Sequence, residues 1–256
     1  MVRTRQPTID RAAALVDEEI ELVEREREAF ERFLARVRET EATGPGPVGG
    51  DGNGGPAVLV GAEGQPSERL RTVRAAYRET VMAVPHYERE YGDTLRESVA
   101  TELGETLAGH IADGQVLAPA LSGALVEASE RARDDRADFL RSLRRERDSL
   151  EETAAELNDV ECRAVELGER VDTDSTSARL ADVHESLAAL ERRCADLADR
   201  RQSTIHGRTA GQLSGVNETS LVRYLYDDRM ETVTPALSDI ASCLGVIRHQ
   251  QTQCLR

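Results

Sequence analysis

The sequence predicts an all-α protein in which a long antiparallel helical hairpin, a two-helix coiled coil, packs against additional helices. Apolar residues recur at steps of three and four along most of the chain, which is the spacing of a buried helix face. Aromatic residues make up only 3% of the 256 residues, and Trp is absent. Strands favour aromatic and β-branched side chains, so this composition argues against a β-sandwich or barrel.

The hairpin is predicted over residues 119–206 because the apolar residues of its two arms pair on one constant index sum. Facing positions of two antiparallel helices have such a constant sum, so the shared value predicts both the topology and the register. The centre of the hairpin falls at Thr173 and Asp174, in a run of turn and N-cap formers. The five apolar pairs with the sum 347 are Leu150–Leu197, Leu157–Leu190, Val160–Leu187, Ala164–Val183 and Leu167–Leu180.

The sequence divides into four segments on the basis of composition and periodicity. The second segment is a linker because residues 44–66 hold nine of the 19 Gly and four of the eight Pro. Val58, Leu59 and Val60 could form a short extended piece within it. The segments are an N-terminal coiled-coil-type helix at 1–42, a Gly/Pro-rich linker at 43–66, a helical domain at 67–206 and a C-terminal helix pair at 207–256.

The N-terminal helix carries a heptad stripe and therefore needs a partner. Thr8 or Asp10 can cap this helix, which is predicted to run to about Glu41. We expect the stripe to pack on the hairpin, on the same helix of a second copy in a homodimer, or on a protein partner. Its apolar residues are Ile9, Ala13, Val16, Ile20, Val23, Phe30, Leu34 and Val37.

Helix boundaries in the rest of the chain are predicted from Pro and Gly. A helix beginning at Ser67 should be interrupted by Pro85, and a helix containing Leu95 should run towards Gly109. Pro119 is expected in the first turn of the helix that leads into the hairpin. In the C-terminal pair, Thr234 should cap a last helix that has Pro235 at its first position. Both C-terminal helices are too short to be stable alone and should dock on the bundle.

The charge balance indicates adaptation to salt. The net charge is −15, and all 33 basic residues are Arg. This pattern is typical of a salt-loving organism with a GC-rich genome. At molar salt the Debye length falls to about 3 Å, so the acidic surface serves solubility rather than steering of partners. The chain has no signal peptide and no apolar run that could span a bilayer, so we expect a cytoplasmic protein without membrane contact.

The same features argue against nucleic-acid binding. Phosphate contacts weaken steeply as salt rises. No cluster of Arg is free of acidic residues; the densest run, Arg141 to Arg147, is followed at once by Asp148 and Glu151. The helices between Ser67 and Gly109 could contain a cryptic helix-turn-helix, but their charges are nearly balanced and no basic recognition helix is evident.

Tyrosines near two turns are the candidate site residues. The segment after Pro85 could be a general acid–base cluster, a ligand site or an interaction surface, but we favour a structural role in which His and Tyr pack a helix corner with satisfied polar tips. The candidate interaction surface comprises Tyr77, His86, Tyr87, Tyr91, Asp93, Tyr224 and Tyr226. No catalytic, cofactor-binding or metal-binding residue is predicted.

The four cysteines do not form a recognisable site. Cys243, His249 and Cys254 match no standard zinc spacing. Cys162 and Cys194 lie on opposite arms of the hairpin, but the register offsets them by about eight residues, or roughly 12 Å along the helix axis. That offset exceeds the Cα separation that a disulfide tolerates. We expect no bond between them, with Cys194 buried in the seam and Cys162 more accessible.

Three blocks of sequence resemble an uncharacterised haloarchaeal family of domains of unknown function. They are the segment from Ala12 to Arg38, the segment from Tyr77 to Leu95, and Tyr224–Asp228 with the Val233–Leu237 that follows. The resemblance implies a helical family unit that covers nearly the whole chain. It brings no activity and therefore no catalytic residue.

The sequence thus favours a non-catalytic coiled-coil interaction or scaffold protein of a halophilic archaeon, without cofactor. The alternative is a transcription-associated regulatory protein with a cryptic DNA-binding helix pair. An enzyme is the least favoured class.

Overall fold

The computed structural model describes residues 7–42, 65–171, 176–209 and 221–255. Within these ranges the chain forms nine helices and no strand, so the predicted all-α fold is confirmed. The helices are α1 (Thr8–Ala42), α2 (Gln65–Thr80), α3 (Tyr87–Glu90), α4 (Leu95–Leu103), α5 (Glu105–Asp113), α6 (Pro119–Gly168), α7 (Ser177–Thr209), α8 (Leu221–Tyr226) and α9 (Pro235–Cys254).

The helices are organised in two compact units. The hairpin unit comprises Met1–Ile20 with Arg141–Arg256, and the tyrosine unit comprises Glu21–Leu140. The boundaries fall within α1 and α6, so each of these two helices contributes residues to both units. Most of the predicted linker, 43–64, lies outside the described residues, and so does the expected extended piece at 58–60.

In the hairpin unit, α6 and α7 are antiparallel, as predicted. Ion pairs join Arg193 to Asp159, Arg200 to Glu156 and Arg201 to Glu146, so the residue numbers rise along α7 as they fall along α6. The predicted turn centre lies within 172–175, outside the described residues. The core between the arms contains the predicted seam residues Leu157, Val160, Ala164, Val183, Leu187, Leu190 and Leu197.

The C-terminal helices dock on this unit, as expected from their short length. On α9, Ile240, Cys243 and Ile247 are buried in the hairpin core. The Glu191 carboxylate of α7 accepts hydrogen bonds from Arg248 and Gln251 of α9. The four buried residues of α8 are Leu221, Val222, Leu225 and Tyr226.

The predicted start of α9 is correct, but the predicted cap is not. Pro235 is the first residue of the helix, yet the Thr234 side chain makes no capping hydrogen bond. Instead, the Thr234 backbone N–H donates to the Thr232 hydroxyl. A capping side chain accepts a hydrogen bond from a free N–H of the first helical turn, two or three residues later in the chain. The Thr234 hydroxyl instead lies 3.4 Å from that of Thr232.

In the tyrosine unit, two predicted helix boundaries are wrong. Helix α2 ends at Thr80, before Pro85, because the chain already turns where the Met82 N–H donates to the Tyr77 carbonyl. The predicted single helix running towards Gly109 is two helices, α4 and α5, that meet at Gly104. Gly104 has a φ of 98°, a left-handed value that a side chain disfavours, whereas Gly109 lies within α5.

Gly104 is therefore the residue on which the α4–α5 corner depends. Replacement by Ala is expected to lower the free energy of unfolding by about 1–2 kcal/mol, because Ala is strained at positive φ. The loss should come from the backbone alone, since a Cβ on Gly104 would meet no described atom within 4 Å.

The matched control is Gly109→Ala, which also places a Cβ in open space but on a helical backbone. This variant should be more stable by about 0.5–1 kcal/mol, because Ala is the better helix former. Denaturant unfolding of both variants measures the difference. Equal effects at the two positions would contradict the assignment of the break to Gly104.

Six of the eight residues of the heptad stripe of α1 are buried within the single chain. Ile9, Val16 and Val23 are at most 5% exposed, and Phe30 and Val37 are equally buried. Contacts through this stripe are therefore already made inside the protein. A partner on the N-terminal helix, which stays a proposal, would have to contact its other, charged side.

The cysteines follow the predicted accessibility. Cys162 is exposed and Cys194 is buried, and all four cysteines are free. The neighbour of Cys194 is not Cys162 but Cys243 of α9, with the two sulfur atoms 4.0 Å apart. Among the described residues, no helix combines the length and apolar character needed to cross a membrane.

Candidate functional site

The candidate site lies where the chain turns between α2 and α4. The Tyr87 N–H donates to the Val84 carbonyl, which closes a turn around Pro85. The short helix α3 follows, and Gly92 then adopts a φ of 60° that lets the chain reverse. This local geometry places His86 and Tyr87 inward, where both are 4% exposed, and leaves Tyr91 46% exposed.

A carboxylate on α1, that of the largely buried Glu26, is the centre of the site. Its Oε1 accepts hydrogen bonds from His86 Nε2 and from the Tyr91 hydroxyl, each at 2.9 Å. Its Oε2 accepts from Arg136 Nε at 2.9 Å, and Arg136 Nη2 donates to Glu102 Oε1 at 2.8 Å. These five side chains, Glu26, His86, Tyr91, Glu102 and Arg136, form the Glu26 cluster.

Aromatic rings support the cluster on two sides. The Arg136 guanidinium lies over the Phe30 ring at 4.6 Å from its centroid, a favourable cation–π position. The Tyr87 and Tyr91 rings pack with their centroids 5.6 Å apart. Because a carboxylate only accepts hydrogen bonds, His86 Nε2 must carry a proton and donate it to Glu26. Each group is thus held in one orientation.

The electrostatics of the cluster stabilise its charged forms. Burial alone would raise the pKa of Glu26, but Arg136 and the hydrogen bonds from His86 and Tyr91 lower it below its ordinary value. Burial alone would lower the pKa of Arg136, but the carboxylates of Glu102 and Glu26 raise it above its ordinary value. Burial and the neighbouring Glu26 carboxylate raise the pKa of Tyr91, which therefore stays protonated and donates.

A small cavity adjoins the cluster. Its volume is about 20 Å³, which is room for about one water molecule. Its lining includes Tyr87, Asp93 and Ser98. The buried Tyr87 hydroxyl makes no hydrogen bond of normal geometry among the described residues, and the Tyr77 hydroxyl lies 3.1 Å from the Ser98 hydroxyl.

A second buried polar cluster lies in the hairpin unit. Glu146 and Arg201 form an ion pair whose side chains are 0% and 1% exposed. Arg201 Nη1 also donates to the Ser149 hydroxyl at 2.9 Å, and the Tyr226 hydroxyl donates to Glu146 Oε1 at 2.9 Å. These four residues, Glu146, Ser149, Arg201 and Tyr226, form the Glu146 cluster.

The seven candidate residues fall into two sets. Tyr77, His86, Tyr87, Tyr91 and Asp93 belong to the tyrosine unit, and Tyr224 and Tyr226 belong to the hairpin unit. Buried side chains cannot contact a partner directly, so within these sets only the more exposed residues can contribute to an interaction surface. Tyr77, His86, Tyr87 and Tyr226 are buried, Asp93 is intermediate, and Tyr91 and Tyr224 are each 46% exposed.

The charged partners of these residues were missed by sequence reasoning. The Tyr224 hydroxyl of α8 donates a hydrogen bond to Glu19 Oε1 of α1, and the two residues are 205 positions apart in sequence. Glu26, Arg136 and Arg201 likewise did not stand out among 81 charged residues. No group of three or more His, Cys, Asp or Glu side chains in the described ranges is arranged to hold a metal ion.

The fold and these two clusters define an all-α protein in which buried charges neutralise one another. Residues 7–251 match the family described as Domain of unknown function (DUF7260), so the chain belongs to that family. One family of unknown function therefore spans nearly the whole chain, as the resemblance implied. No curated protein and no solved structure matches the chain.

Proposed function

We propose that the chain is a non-catalytic helical interaction protein, a coiled-coil scaffold that binds a protein partner in the cytoplasm of a halophilic archaeon. Glu26 and Arg136 carry the non-catalytic part of this proposal, because they neutralise each other and because the pKa of Glu26 is lowered and that of Arg136 is raised, both away from neutrality. A general acid or base works best when its pKa lies near the working pH. The cluster is suited to hold a corner of the fold together.

The size of one cavity and the lining of another also favour a non-catalytic role. Small-molecule sites usually enclose about 300–1,000 Å³. The cavity beside the Glu26 cluster has about 20 Å³. A larger open groove of about 700 Å³ lies between α1 and α2, but its lining contains no His, Cys or Tyr, and Arg36 and Glu79 within it pair with each other.

Two exposed valines of the hairpin unit are the proposed anchors for a partner. Val165 on α6 and Val246 on α9 are 50% and 53% exposed. A Cβ on Gly168 would lie 2.5 Å from Gln250 Nε2, so α6 and α9 are in contact one turn beyond the two valines. In molar salt, charge contacts are screened and apolar anchors keep their strength, which is why we assign the contact to valines.

Capture from a native lysate at molar salt tests this proposal. The full chain should retain a protein in a saturable manner before and after nuclease digestion. The double variant Val165→Ser/Val246→Ser should weaken that binding about tenfold or more, which corresponds to about 1.4 kcal/mol. The control is Val116→Ser, which changes a valine of the tyrosine unit that is 57% exposed.

Three results would count against the proposal. They are the absence of saturable protein binding, equal binding by the double variant and the control, and loss of the captured material on nuclease digestion. The last result would favour the DNA-binding regulator. Helix α5 contains acidic residues and no Arg, so it does not supply a basic recognition helix, and we do not propose that function.

The halophilic origin predicts a dependence of folding on salt. Fifteen excess negative charges repel one another in a compact fold, and salt screens this repulsion. Helicity by circular dichroism and the Tm should both fall when salt is lowered from about 1 M to about 0.1 M, where the Debye length extends to about 10 Å. Equal helicity and equal Tm in the two buffers would contradict it.

A further inference from the structure

Two buried cysteines from different helices lie in direct contact. Cys194 of α7 and Cys243 of α9 are 0% and 4% exposed, and their sulfur atoms are 4.0 Å apart. Both thiols are free, and they lie 49 residues apart in sequence. Sulfur atoms in a disulfide are about 2.05 Å apart, so an approach of about 2 Å would join the two helices covalently.

The position of this pair gives a bond between them a structural consequence. Helix α9 is held on α7 by its apolar side and by two hydrogen bonds to Glu191. A helix held by contacts of this kind can open locally at a free energy below that of global unfolding. A covalent link at the centre of the contact would suppress that opening.

We propose that Cys194 and Cys243 are a redox site that a peroxide converts to an intrachain disulfide, which fixes α9 on α7. This proposal does not depend on the proposed interaction function. It assigns to the two thiols a role as a reversible switch, set by peroxide and reset by thiol reductants.

The reaction balances with one peroxide molecule. The Cys194 thiolate attacks a peroxide oxygen, so an S–O bond forms, the O–O bond breaks and the leaving hydroxide takes up the proton of Cys194 as water. The Cys243 sulfur then attacks the sulfenic sulfur of Cys194. The S–S bond forms, the S–O bond breaks, and the sulfenic oxygen leaves as a second water with the Cys243 proton. Two thiols are oxidised and hydrogen peroxide is reduced.

The surroundings of the two sulfurs support this order of attack. The hydrogen bond with Cys243 lowers the pKa of Cys194, and the Arg193 guanidinium adds to that shift. The same contact and burial raise the pKa of Cys243. Thiolates are the nucleophilic form, so Cys194 should react first and Cys243 should resolve the sulfenic acid.

Peptide mapping tests the proposal, because each cysteine lies on a different tryptic peptide. The reduced, folded chain is treated with one equivalent of hydrogen peroxide in molar salt and is then cleaved after Arg. We expect one linked pair that joins the peptide 194–200 to the peptide 230–248 and is released by dithiothreitol. Cys194→Ser and Cys243→Ser should each abolish it, and the double variant Cys162→Ser/Cys254→Ser should retain it.

Hydrogen exchange of α9 provides the second readout. Amides of α9 should exchange about tenfold or more slowly after oxidation of the wild-type chain and should be unchanged in Cys194→Ser. The proposal is overturned if the main link involves Cys162 or Cys254, if Cys194 is over-oxidised without a link, if the pair does not react in the folded chain, or if oxidation leaves exchange of α9 unchanged.

Discussion

Replacement of Arg201 by Ala is expected to lower the free energy of unfolding by about 3–5 kcal/mol. Arg201 contributes the guanidinium that pairs with Glu146 where both side chains are almost completely excluded from water. Removal of one partner leaves a carboxylate charge in a medium of low dielectric, where its desolvation is no longer offset by the ion pair. Packing of the buried Arg201 stem is lost as well.

The adjacent residue provides a matched control. Arg200 pairs with Glu156, but their side chains are 54% and 37% exposed. Arg200→Ala should therefore change stability by at most about 1 kcal/mol. Urea unfolding at molar salt, followed by circular dichroism, compares the two variants.

A double variant separates the buried charge from the packing. Glu146→Leu/Arg201→Met removes both charges and keeps most of the side-chain volume, so it should recover much of the stability that Arg201→Ala loses. If Arg201→Ala is no more destabilising than Arg200→Ala, the Glu146 cluster is not a determinant of the hairpin's stability.

The Glu146–Arg201 pair also shows what the sequence could have predicted. The index sum of this pair is 347, the same value that aligned the apolar pairs, and both residues lie at seam spacing from Leu150 and Leu197. Two opposite charges at facing seam positions would have indicated a buried ion pair. They were missed because only apolar residues were used to trace the seam.

The Glu26 cluster could not have been found by the same arithmetic. Glu26 and Arg136 are 110 residues apart and lie on different helices. No periodic pattern in the sequence indicates how these two helices pack against each other. The sequence showed His86 and Tyr91 near a proline turn. It favoured a structural role in which the polar ends of these side chains make hydrogen bonds. The His86 and Tyr91 contacts fit that interpretation, but the carboxylate that satisfies them lies on α1.

The break at Gly104 illustrates a further limit. Two glycines, Gly104 and Gly109, lie five residues apart in one apolar-periodic run. Local helix propensity does not distinguish the two glycines, since a Gly can be tolerated inside a helix or can terminate it. Packing of α4 against α5 decides the outcome, and it places the positive φ at Gly104. Boundaries of this kind follow from tertiary contacts that periodicity does not encode.

Replacement of Glu26 by Gln is expected to lower the free energy of unfolding by about 2–3 kcal/mol near neutral pH. Gln keeps the size of the side chain, but it removes the charge that faces Arg136 and weakens the hydrogen bonds that His86 and Tyr91 donate. The Glu26 side chain is only 13% exposed, so solvent screens these interactions weakly.

The matched control is Glu28→Gln on the same helix. The Glu28 carboxylate is 55% exposed and pairs with Arg32, so we expect the free energy of unfolding to change by less than about 0.5 kcal/mol.

The effect of Glu26→Gln should depend on pH with a defined sign. The pKa of Glu26 is lowered in the folded chain from its ordinary value of 4.5, because Arg136 and its hydrogen-bond donors outweigh burial. Its ionisation therefore stabilises the fold above about pH 4.5, and this stabilisation is lost as the pH falls through the folded-state pKa. The difference in the free energy of unfolding between wild type and Glu26→Gln should become smaller when urea unfolding is repeated below about pH 4. A difference that stays constant with pH would assign the contribution of Glu26 to shape and neutral hydrogen bonding rather than to its charge.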